Sequence, residues 1–574
     1  MNIEKRYSTD KTIEEVVLDN TGYDNIEDFL NPKKDYWIKD LDKVSTLIKD
    51  AIIKQRPIHV VTDYDVDGIC SASIMKLLLD KLGANYEIRL PRRFSEGFGL
   101  SEKIVNEIPL GALLITADNG IAAVDAVKLA KSKMMTVIIT DHHLPNEDGV
   151  LPEADVIVDP NAIPGSAEFN GYCGAGLVYK LAIEMLGKDH DLIPKLNSFA
   201  ALATVADVMK LVEENRLIVK NGLKTLTSYT GRTTGLCELL KQCELHQNIS
   251  AKNIAFKIGP ILNAPGRLFD DGASKSFEAI SFNGDVKKAE ELAKELIGFN
   301  DERKALTDQG IQKVEQNIID NCIFGEVPLI IYEPDLPEGL VGIFAGKLAE
   351  KYKAPCFILT GSEEEGILKG SGRSFGKVNI KDLLDANSDF LYKYGGHAEA
   401  AGLSVFEDKL DEFKEGMMNA VNPDDLAQED VSCYDIEIDA SKISSTIEEL
   451  EKYAPFGEGN PEIVFKIKDF MLSPRMNGDT DTGKCAKRMG DKGQHIKLFG
   501  VDASAICFDM TETYIAMNCP KKVEVIGTLS QNFFRGKATN QIETMDFSDV
   551  SKAVEKTPMA ALLSKMANER RRGE

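Results

Sequence analysis

The stretch HVVTDYDVDG, residues 59–68, decides the fold of this chain. It begins with the apolar residues of a buried strand and ends in three alternating carboxylates, Asp63, Asp65 and Asp67. Side chains two positions apart on a strand project to one face, with Cα atoms about 6.5 to 7 Å apart, so Asp63 and Asp65 point to a common spot. Beyond the turn, apolar positions follow helical spacing as far as Gly83. The order strand, acidic turn, helix is typical of a parallel α/β sheet.

Three further apolar runs end in polar side chains in the same way. GALLITADNG reaches Asp118, MMTVIITDHH reaches Asp141, His142 and His143, and ADVIVDP reaches Asp159. Because parallel strands gather their carboxyl ends in one crevice, we expect these side chains to meet. An Asp-Pro turn explains Asp159 more simply, so it is left out of the candidate ligands. Clustered carboxylates repel one another and lose hydration, and a divalent cation turns that cost into binding energy.

The types of side chain narrow the choice of cation. Carboxylate oxygens with one or two imidazoles suit Mn²⁺ or Mg²⁺, and the nitrogen ligand favours Mn²⁺. The ten cysteines are scattered without a C-x-x-C pair, which indicates reduced thiols and not a zinc site. Taken alone, DxDxDG is also compatible with a calcium-loop fragment or a capped turn, and Asp-His-His is a weaker signal still. Their joint occurrence at strand ends is what favours a metal site.

Composition sets the broad class of protein. The 574 residues, of which 43% are hydrophobic, are enough for about three or four cores of ordinary domain size. No apolar run approaches the length of about 18 residues that a membrane span needs, and the polar start MNIEKRYSTD is unlike a signal peptide, so a cytoplasmic protein is expected. The net charge of −24 opposes nonspecific attraction to a polyanion. A nucleic-acid partner would therefore need a local basic groove.

Several basic residues are candidates for such a groove. They are Arg89, Arg92, Arg93, Arg267, Arg303, Arg373, Lys484, Lys487 and Arg488. A solvated surface position explains any one of these residues, and it is the simpler explanation for the last three. The composition alone does not choose among them.

The motifs of this chain resemble the DHH phosphoesterase superfamily, and within it the RecJ-type single-stranded-DNA exonucleases. Besides the acidic runs, the segments that carry the resemblance are LPRRFSEGFGLS, GYCGAGLVYKLA, ATVADVMKL, GPILNAPGRL, EGLVGIFAGKLAEKY, GSGRS, YGGHAEAAGLS and PFGEGNP, in the family's order. The resemblance spans the chain from about Phe29 to about Phe547. It implies a metal-dependent exonuclease that acts 5′-to-3′ on single-stranded DNA and releases 5′-mononucleotides by a two-metal mechanism, in DNA repair or recombination.

The resemblance also assigns roles to single residues. It implies that two Mn²⁺ or Mg²⁺ ions are bound directly by Asp63, Asp65, Asp118, His142 and Asp207. Asp118 is expected to bridge the ions, and Asp67 and His143 are expected as catalytic residues around them. His143 could orient the phosphate or donate a proton, while an Asp-His pair can also fix the tautomer of a metal ligand. For Asp207 in TVADVMKL, a helix-terminal acid is the plain alternative.

The expected fold class is α/β, with a parallel-sheet DHH domain, a long linking helix, a second α/β domain of the DHHA1 type and a C-terminal OB-fold β-barrel. The expected limits are an N-terminal extension at 1–50, the DHH catalytic domain at 51–215, a helical region with the connecting helix at 216–320, the DHHA1 domain at 321–430, the OB-fold domain at 431–550 and a basic tail at 551–574. An amphipathic pattern ending near Ile319 predicts the long helix. Runs of β type after Val431 predict five short strands in a compact barrel.

Residues expected to contact nucleic acid come from the same motifs. They are Arg93, Arg267, Ser371, Arg373, Gly396, His397 and Phe533. Glycines let backbone amides approach a phosphate and arginine offers a planar fork to its oxygens, although tight turns also explain glycines. Phe533 and Phe534, beside Arg535, could stack on bases for about 1 to 3 kcal/mol each, although core packing is the commoner role for at least one of them. The chain departs from many family members at Leu336 and Pro337, which replace Trp-His, so any role of that histidine is lost or moved.

Two other functions stay open at this point. The first is a DHH-DHHA1 phosphodiesterase for short oligonucleotides or cyclic dinucleotides, and the C-terminal module and the long helix argue against it. The second is a non-catalytic, strand-binding replication scaffold, and the retention of every proposed ligand argues against that. A self-contained nuclease could act as a monomer, and the resemblance implies a single-strand-binding protein or a helicase as partners. His59, His190 and His246 carry no motif and are expected to be structural or surface residues.

Overall fold

The computed structural model describes residues 2–146, 148–228, 231–245, 248–426, 431–490, 492–534 and 537–550. His246, Arg535 and the basic tail at 551–574 lie outside these residues. The described residues form two compact units. The smaller unit combines the described parts of 1–34, 210–220 and 430–574, and the larger unit combines those of 35–209 and 221–429.

The secondary structure alternates strands and helices through most of the chain. The strands are β1 (Asn2–Lys5), β2 (Ile58–Thr62), β3 (Tyr86–Arg89), β4 (Leu113–Ala117), β5 (Thr136–Thr140), β6 (Val156–Val158), β7 (Leu329–Tyr332), β8 (Cys356–Gly361), β9 (Ile367–Arg373), β10 (Leu391–Gly396), β11 (Ala400–Phe406), β12 (Val431–Tyr434), β13 (Ile436–Asp439), β14 (Phe465–Met471), β15 (Ala486–Met489), β16 (His495–Phe499), β17 (Ala503–Cys507), β18 (Lys522–Phe534) and β19 (Lys537–Asp549).

The helices frame these strands. They are α1 (Ile13–Thr21), α2 (Ile26–Leu30), α3 (Leu41–Ile53), α4 (Val66–Leu82), α5 (Glu102–Glu107), α6 (Val124–Ser132), α7 (Gly174–Leu186), α8 (Ile193–Ala206), α9 (Glu213–Thr227), α10 (Thr234–Gln242), α11 (Ala251–Asn253), α12 (Gly259–Leu268), α13 (Gly272–Ser281), α14 (Val286–Asp320), α15 (Val341–Tyr352), α16 (Ile380–Ala386), α17 (Leu410–Ala420), α18 (Ile443–Leu450) and α19 (Thr511–Ala516). None of the described helices is both long and apolar enough to cross a membrane.

The first sheet of the larger unit is fully parallel, as predicted. Its strand order is β3-β2-β4-β5-β6. On one face, Val61, Leu114 and Val137 pack against Ile104 of α5 and Val127 of α6. Strands covered on both faces read as nearly continuous apolar runs, which is why they were visible in the sequence. The parallel arrangement brings the four acidic strand ends to one edge.

Helix α14 confirms the predicted long connecting helix. Its 35 residues correspond to about 52 Å. Near its end, Val314 and Ile318 share a core with Leu329 of β7 and Phe344 of α15. At Gly310 the helix approaches the ring of Phe344 so closely that a Cβ would lie 2.5 Å from it. The helix therefore connects the helices that follow the first sheet to a second domain of the same unit.

That second domain is the predicted second α/β domain. Its sheet has the order β10-β11-β9-β8-β7, in which β7 and β8 are parallel and the other pairs are antiparallel. Helix α15 packs with one apolar cluster of this sheet. Helices α16 and α17 contribute to the cluster on the other side. At the departure from the family pattern, Leu336 is buried and its carbonyl accepts the hydroxyl hydrogen of Thr360 at 2.7 Å, so it serves the core.

The smaller unit contains a seven-stranded sheet. Its order is β13-β14-β18-β19-β17-β16-β15, with β13 and β15 at the edges, so the described residues form no closed barrel where the sequence predicted one. The sheet also has more strands than the five predicted. The reason lies in the 13-residue strands β18 and β19, whose hairpin pairs with β14 on one side and β17 on the other. The hairpin therefore lies in the middle of the sheet and joins the strands on its two sides into one open sheet.

The N-terminal residues contribute to the core of this same unit. Val16, Val17 and Phe29 share an apolar cluster with Phe465 of β14. The guanidinium of Arg216 lies 4.0 Å from the ring of Phe29 and donates hydrogen bonds to two backbone carbonyls near residue 453. The limits at residues 50 and 215 suggested by the sequence therefore do not coincide with the limits of the compact units.

Candidate active site

The DYDVDG turn is shaped by its own hydrogen bonds. Asp65 caps the start of α4, where its Oδ1 accepts the N–H groups of Asp67 and Gly68 at 2.9 and 3.2 Å. Oδ1 of Asp63 accepts the N–H of Tyr64 at 2.7 Å. Residue 68 must lack a side chain, because a Cβ there would lie 2.1 Å from the carbonyl oxygen of Asp63. The backbone thus fixes the first two acids at the edge of the sheet.

Asp67 points inward and is held by another helix. Its two carboxylate oxygens accept the N–H groups of Gly174 and Ala175 at 2.6 and 2.7 Å, at the start of α7. The unpaired amides of a helix start carry partial positive charge and stabilise a carboxylate. Helix α7 comes this close because residue 174 is glycine: a Cβ there would lie 2.4 Å from Cβ of Asp118. The motif GYCGAG therefore builds the acidic site.

His142 lies at the centre of three carboxylates. Its Nε2 is 3.2 Å from Oδ1 of Asp118, 3.6 Å from Oδ2 of Asp67 and 3.7 Å from Oδ2 of Asp207. Atoms that share one ion at about 2.1 Å lie about 3 Å apart, so this spacing suits a common cation. Burial lowers the pKa of His142, which leaves a neutral ring with a nitrogen lone pair to offer.

His143 is paired with Asp141 at the same strand end. The Nδ1 of His143 lies 2.7 Å from Oδ1 of Asp141, whose other oxygen accepts the N–H of Ile121 at 2.9 Å. Burial disfavours charge on the His143 ring, but Asp141, together with Asp63 and Asp67, raises its pKa to about 9. The pair with Asp141 therefore favours the protonated ring in the metal-free protein. With 53% of its side chain exposed, it is accessible to a substrate.

The remaining acids crowd one another. Burial, and then the charge of Asp65, raises the pKa of Asp63 to about 7, while burial and Asp67 raise that of Asp207 to about 8. Burial and the same acids hold the pKa of Asp118 well above its usual range. Oδ1 of Asp118 is buried and accepts no hydrogen bond from the described residues. Asp118 also adopts the left-handed φ of 65°, a strain typical of functional sites.

These donors form two overlapping groups of ligand atoms, each within 4.8 Å. The groups are Asp118, His142 and His143, and Asp67, His142 and Asp207. Three of the predicted ligands, Asp118, His142 and Asp207, therefore come together. The two residues expected to be catalytic each join one group, while Asp63 and Asp65 join neither. A hard divalent cation fits a donor set of oxygens and imidazole nitrogens.

The thiols beside this site do not belong to the donor set. Burial raises the pKa of Cys70 and Cys173 well above the usual range, and the charge of Asp67 adds to the effect in both. Neither thiol belongs to the groups of candidate ligand atoms found among the described residues.

Two asparagines that the sequence analysis did not single out support the site. Asn119 accepts the N–H of Leu100 and donates to carbonyls of β2 and β4, each at 3.0 Å. Asn161 donates to the carbonyl of His142 at 2.6 Å. Oδ1 of Asp159 accepts two N–H groups of the turn that carries Asn161, which matches the turn predicted there. A polar residue one or two places after a strand-end aspartate is the signal that could have found both asparagines.

The three arginines expected to contact nucleic acid, Arg93, Arg267 and Arg373, form no ion pair with a carboxylate among the residues described by the structure. The guanidinium of Arg93 lies 4.9 Å from the ring centroid of Tyr64. Burial, together with the charges of Arg93, Arg303 and Arg373, lowers the pKa of Arg267 to about 10, so these cations share one region. Neighbouring cations without a counter-charge form a site for an anion.

Arg373 is held in this region by its own strand. Its Nη1 donates to the hydroxyl of Ser371 and to the carbonyl of Gly372, both at 2.8 Å. Gly342 of α15 leaves room for the guanidinium, since a Cβ there would lie 2.9 Å from Nη2. Arg89 differs, because it is paired with Glu96 and Glu107 and so offers less charge to a ligand.

Two other predicted contacts, Gly396 and His397, lie on the sheet that carries Arg373: the N–H of His397 donates to the carbonyl of Ala400 at 2.8 Å, and Ala400 pairs with Arg373 across β11 and β9. Gly396 has a φ of 148° and ends β10, where a Cβ would lie 2.3 Å from the carbonyl oxygen of Ala400, so the turn itself requires glycine. His397 follows it and is exposed. Phe533 is half-buried at the end of β18 in the smaller unit. Arg488 of that unit is paired with Asp481 at 2.6 Å, as expected for a surface residue.

Family models match three parts of the chain. They are the DHH family, N-terminal domain, at residues 57–204, the DHHA1 domain at 323–422 and the RecJ OB domain at 434–546. A parallel sheet with an acidic carboxyl edge, followed by a DHHA1 domain whose Arg373 has no carboxylate partner among the described residues, defines a DHH-type phosphoesterase. Within that class, the chain belongs to the RecJ family.

The relatives named single-stranded-DNA-specific exonuclease RecJ support this membership. The protein from Haemophilus influenzae is 30% identical over 551 residues, which cover 90% of this chain and 91% of that protein. The protein from Bacillus subtilis is also 30% identical over 90% of this chain, but the chain spans only 64% of its length. The crystal structure of RecJ with Mn²⁺ from Thermus thermophilus matches with a TM-score of 0.72 and 26% identity, covering 93% of this chain and 75% of that one.

Proposed function

We propose that this chain is a Mn²⁺- or Mg²⁺-dependent exonuclease that hydrolyses single-stranded DNA from the 5′ end and releases 5′-mononucleotides. One observation carries the proposal: within the larger unit, a crowded acidic cluster around His142 is accompanied by arginines that lack carboxylate partners among the described residues. The acids suit divalent cations and the arginines suit phosphate. The names of the RecJ relatives supply the class of substrate.

Two ions are proposed because several acids gather around His142, whose Nε2 has one lone pair and could serve one ion only, and because the family resemblance implies two ions. Asp118, His142 and Asp207 would hold them at the centre, with Asp63 and Asp65 completing the predicted ligand set. Divalent cations bound there would polarise the scissile phosphate and lower the pKa of an attacking water. Both oxygens of Asp67 already accept a backbone N–H, so its main contribution is negative charge.

The protein side chains around the acids would bind and orient the substrate. His143, half-exposed and oriented by Asp141, would donate a hydrogen bond to the phosphate and supply the proton that the leaving oxygen needs. Asp141 orients the His143 ring through the hydrogen bond between its Oδ1 and Nδ1 of the ring. Arg93, Arg267 and Arg373 bind phosphate oxygens, since their guanidinium groups are not neutralised by acids among the described residues. We further propose that the protein acts as a monomer in the cytoplasm. Its partners would be a single-strand-binding protein or a helicase, in DNA repair or recombination.

The direct test is an end-label assay. The purified chain is incubated with Mn²⁺ and single-stranded DNA labelled at the 5′ or the 3′ end, beside duplex DNA, RNA and a dinucleotide. We expect rapid release of mononucleotide from the 5′ label while the duplex is spared. Cleavage of the dinucleotide alone would indicate a small-substrate phosphodiesterase, and binding without cleavage would indicate a strand-binding scaffold.

Metal binding should change how heat stability depends on pH. The pKa values of Asp63, about 7, and Asp207, about 8, lie above the value of about 3.9 for an unfolded aspartate. Between these values the folded state holds protons that the unfolded state has released, so the metal-free protein should lose stability as pH rises from 5 to 8. Mn²⁺ replaces those protons. The thermal midpoint should therefore rise more on adding Mn²⁺ at pH 8 than at pH 6, and an equal rise at both would contradict the assignment.

Arg373→Ala should weaken strand binding and flatten its salt dependence. A lost phosphate contact reduces counterion release, so the slope of log K against log salt should fall in magnitude by about one. Lys347→Ala is the matched control, because that cation also belongs to the larger unit but is 54% exposed and lies 3.7 Å from Asp308. Equal slopes for the parent and Arg373→Ala would remove Arg373 from the phosphate site.

A further inference from the structure

The loop that carries Arg93 is tied to the end of α12 by one acid. Oδ1 of Asp270 accepts the N–H groups of Phe94 and Ser95 at 2.8 and 3.0 Å, and its Oδ2 accepts the hydroxyl hydrogen of Ser95 at 2.6 Å. The backbone carbonyl of Asp270 accepts the N–H of Arg93 itself at 3.0 Å. Four hydrogen bonds from one residue therefore hold one turn of this loop.

The same short segment also carries the second arginine. Arg267 lies three residues before Asp270, in the last turn of α12. Arg93 and Arg267 repel each other, and that repulsion contributes to the lowered pKa of Arg267. Without a tether, repulsion between two like charges would move the loop away from the helix end. Asp270 ties the two together through the backbone.

The way in which Asp270 is bonded leaves both arginines free for a ligand. An acid beside two arginines would ordinarily form an ion pair with one of them and compete with phosphate. Here the carboxylate oxygens are occupied by backbone N–H groups and a hydroxyl, and the described residues show no ion pair between Asp270 and either arginine. The hydrogen bonds also keep the pKa of Asp270 below its ordinary value against the effect of burial, so it accepts them as a carboxylate.

We propose that Asp270 is a positioning residue for the reaction: it fixes Arg93 beside Arg267, so that both guanidinium groups face one phosphate of the strand without being neutralised. The inference rests on the proposed function, because it takes these arginines to bind phosphate. It extends that function by assigning the geometry of the phosphate site to an acid that does not touch the strand.

The direction in which Asp270→Ala changes KM distinguishes a positioning role from a simple effect of charge. Removal of a negative charge beside a polyanion site would by itself tighten strand binding. Loss of the tether should instead raise KM for single-stranded DNA about tenfold, as expected when a charge-assisted phosphate contact of about 1.5 kcal/mol is lost, with kcat within about twofold of the parent. The salt slope of KM should fall in magnitude by about one, as it does for Arg93→Ala.

Matched variants distinguish the positioning of Arg93 from a loss of folding and from the removal of a negative charge. Asp271→Ala removes the neighbouring exposed acid, for which the structure shows no side-chain hydrogen bond to the helix that it precedes, so KM should stay within about twofold or fall. Asp270→Asn keeps an oxygen that accepts the backbone N–H groups and should restore most of the parent KM. Thermal unfolding of each full-length variant with Mn²⁺ checks folding, and Ser95→Ala supplies a milder loosening of the same loop.

A double variant completes the test. If Asp270 acts through Arg93, the double variant Asp270→Ala with Arg93→Ala should have the same KM as Arg93→Ala alone, and not a higher one. A KM for Asp270→Ala that is unchanged or lower, while Arg93→Ala raises KM, would overturn the inference and leave the proposed function intact. If Arg93→Ala and Arg267→Ala also leave KM and its salt slope unchanged, the proposed phosphate site itself fails.

Discussion

Asp118→Asn is expected to lower cleavage of single-stranded DNA by about 10³-fold, because the loss of a metal contact costs several kcal/mol in the transition state and each 1.4 kcal/mol is about tenfold. The same substitution should make the metal-free protein more resistant to heat. Oδ1 of Asp118 lies 3.2 Å from Nε2 of His142 and has no hydrogen-bond donor among the described residues. A neutral amide at this position removes a metal ligand and, at the same time, an acid whose ionised form is disfavoured by burial and by the neighbouring carboxylates.

Asparagine is the suitable replacement because of the backbone. Asp118 has a left-handed φ of 65°, which asparagine adopts at a lower cost than alanine. Asp125→Asn is the control, since Asp125 is an exposed acid in the first turn of α6, the next helix along the chain. The measurements are the initial rate at saturating Mn²⁺ and the thermal midpoint in EDTA. Unchanged turnover in Asp118→Asn would remove Asp118 from the metal site, and a lower midpoint would show that the acid supports the fold.

Gly174→Ala is expected to lower cleavage by about 10²-fold, with a rise in the Mn²⁺ concentration needed for half-maximal rate. A Cβ at this position would lie 2.4 Å from Cβ of Asp118, a distance that atoms do not adopt without a shift. The start of α7 must then retreat, which lengthens the hydrogen bonds from Gly174 and Ala175 to Asp67. A displacement of about 1 Å in a reacting site costs about 10²-fold in rate.

Gly176→Ala provides the matched control on the same helix. There the added Cβ would lie 3.4 Å from Cβ of Tyr172, an ordinary contact, and the helix start keeps its place. Its rate and Mn²⁺ dependence should therefore stay within about twofold of the parent, and alanine should slightly favour the helix. If Gly174→Ala and Gly176→Ala behave alike, the close approach of α7 does not build the site. Circular dichroism of both variants would confirm that the helices persist.

Much of the fold could be predicted from residues near one another in the chain. Apolar runs that end in acids predict buried parallel strands whose ends meet, and β2, β4, β5 and β6 lie as expected. The amphipathic pattern predicts α14 because helical periodicity is a local property. Strand order and closure in the C-terminal sheet depend on pairings between distant segments, such as those of its 13-residue hairpin strands with β14 and β17, so local patterns do not predict them.

The sequence by itself therefore determined which kinds of side chain gather at the carboxyl edge of the first sheet, because strand alternation and strand ends are local. Only the tertiary structure decided how they are used. The bonds from Gly174 and Ala175 to Asp67 join residues more than 100 positions apart. The lack of an ion pair between Arg93 and Asp270 likewise depends on packing between distant segments, because backbone N–H groups and a hydroxyl occupy that carboxylate. Burial sets the pKa values of the acids and leaves specific oxygens and guanidinium groups available to ligands. Because this burial comes from residues distant in the chain, no local sequence pattern predicts it.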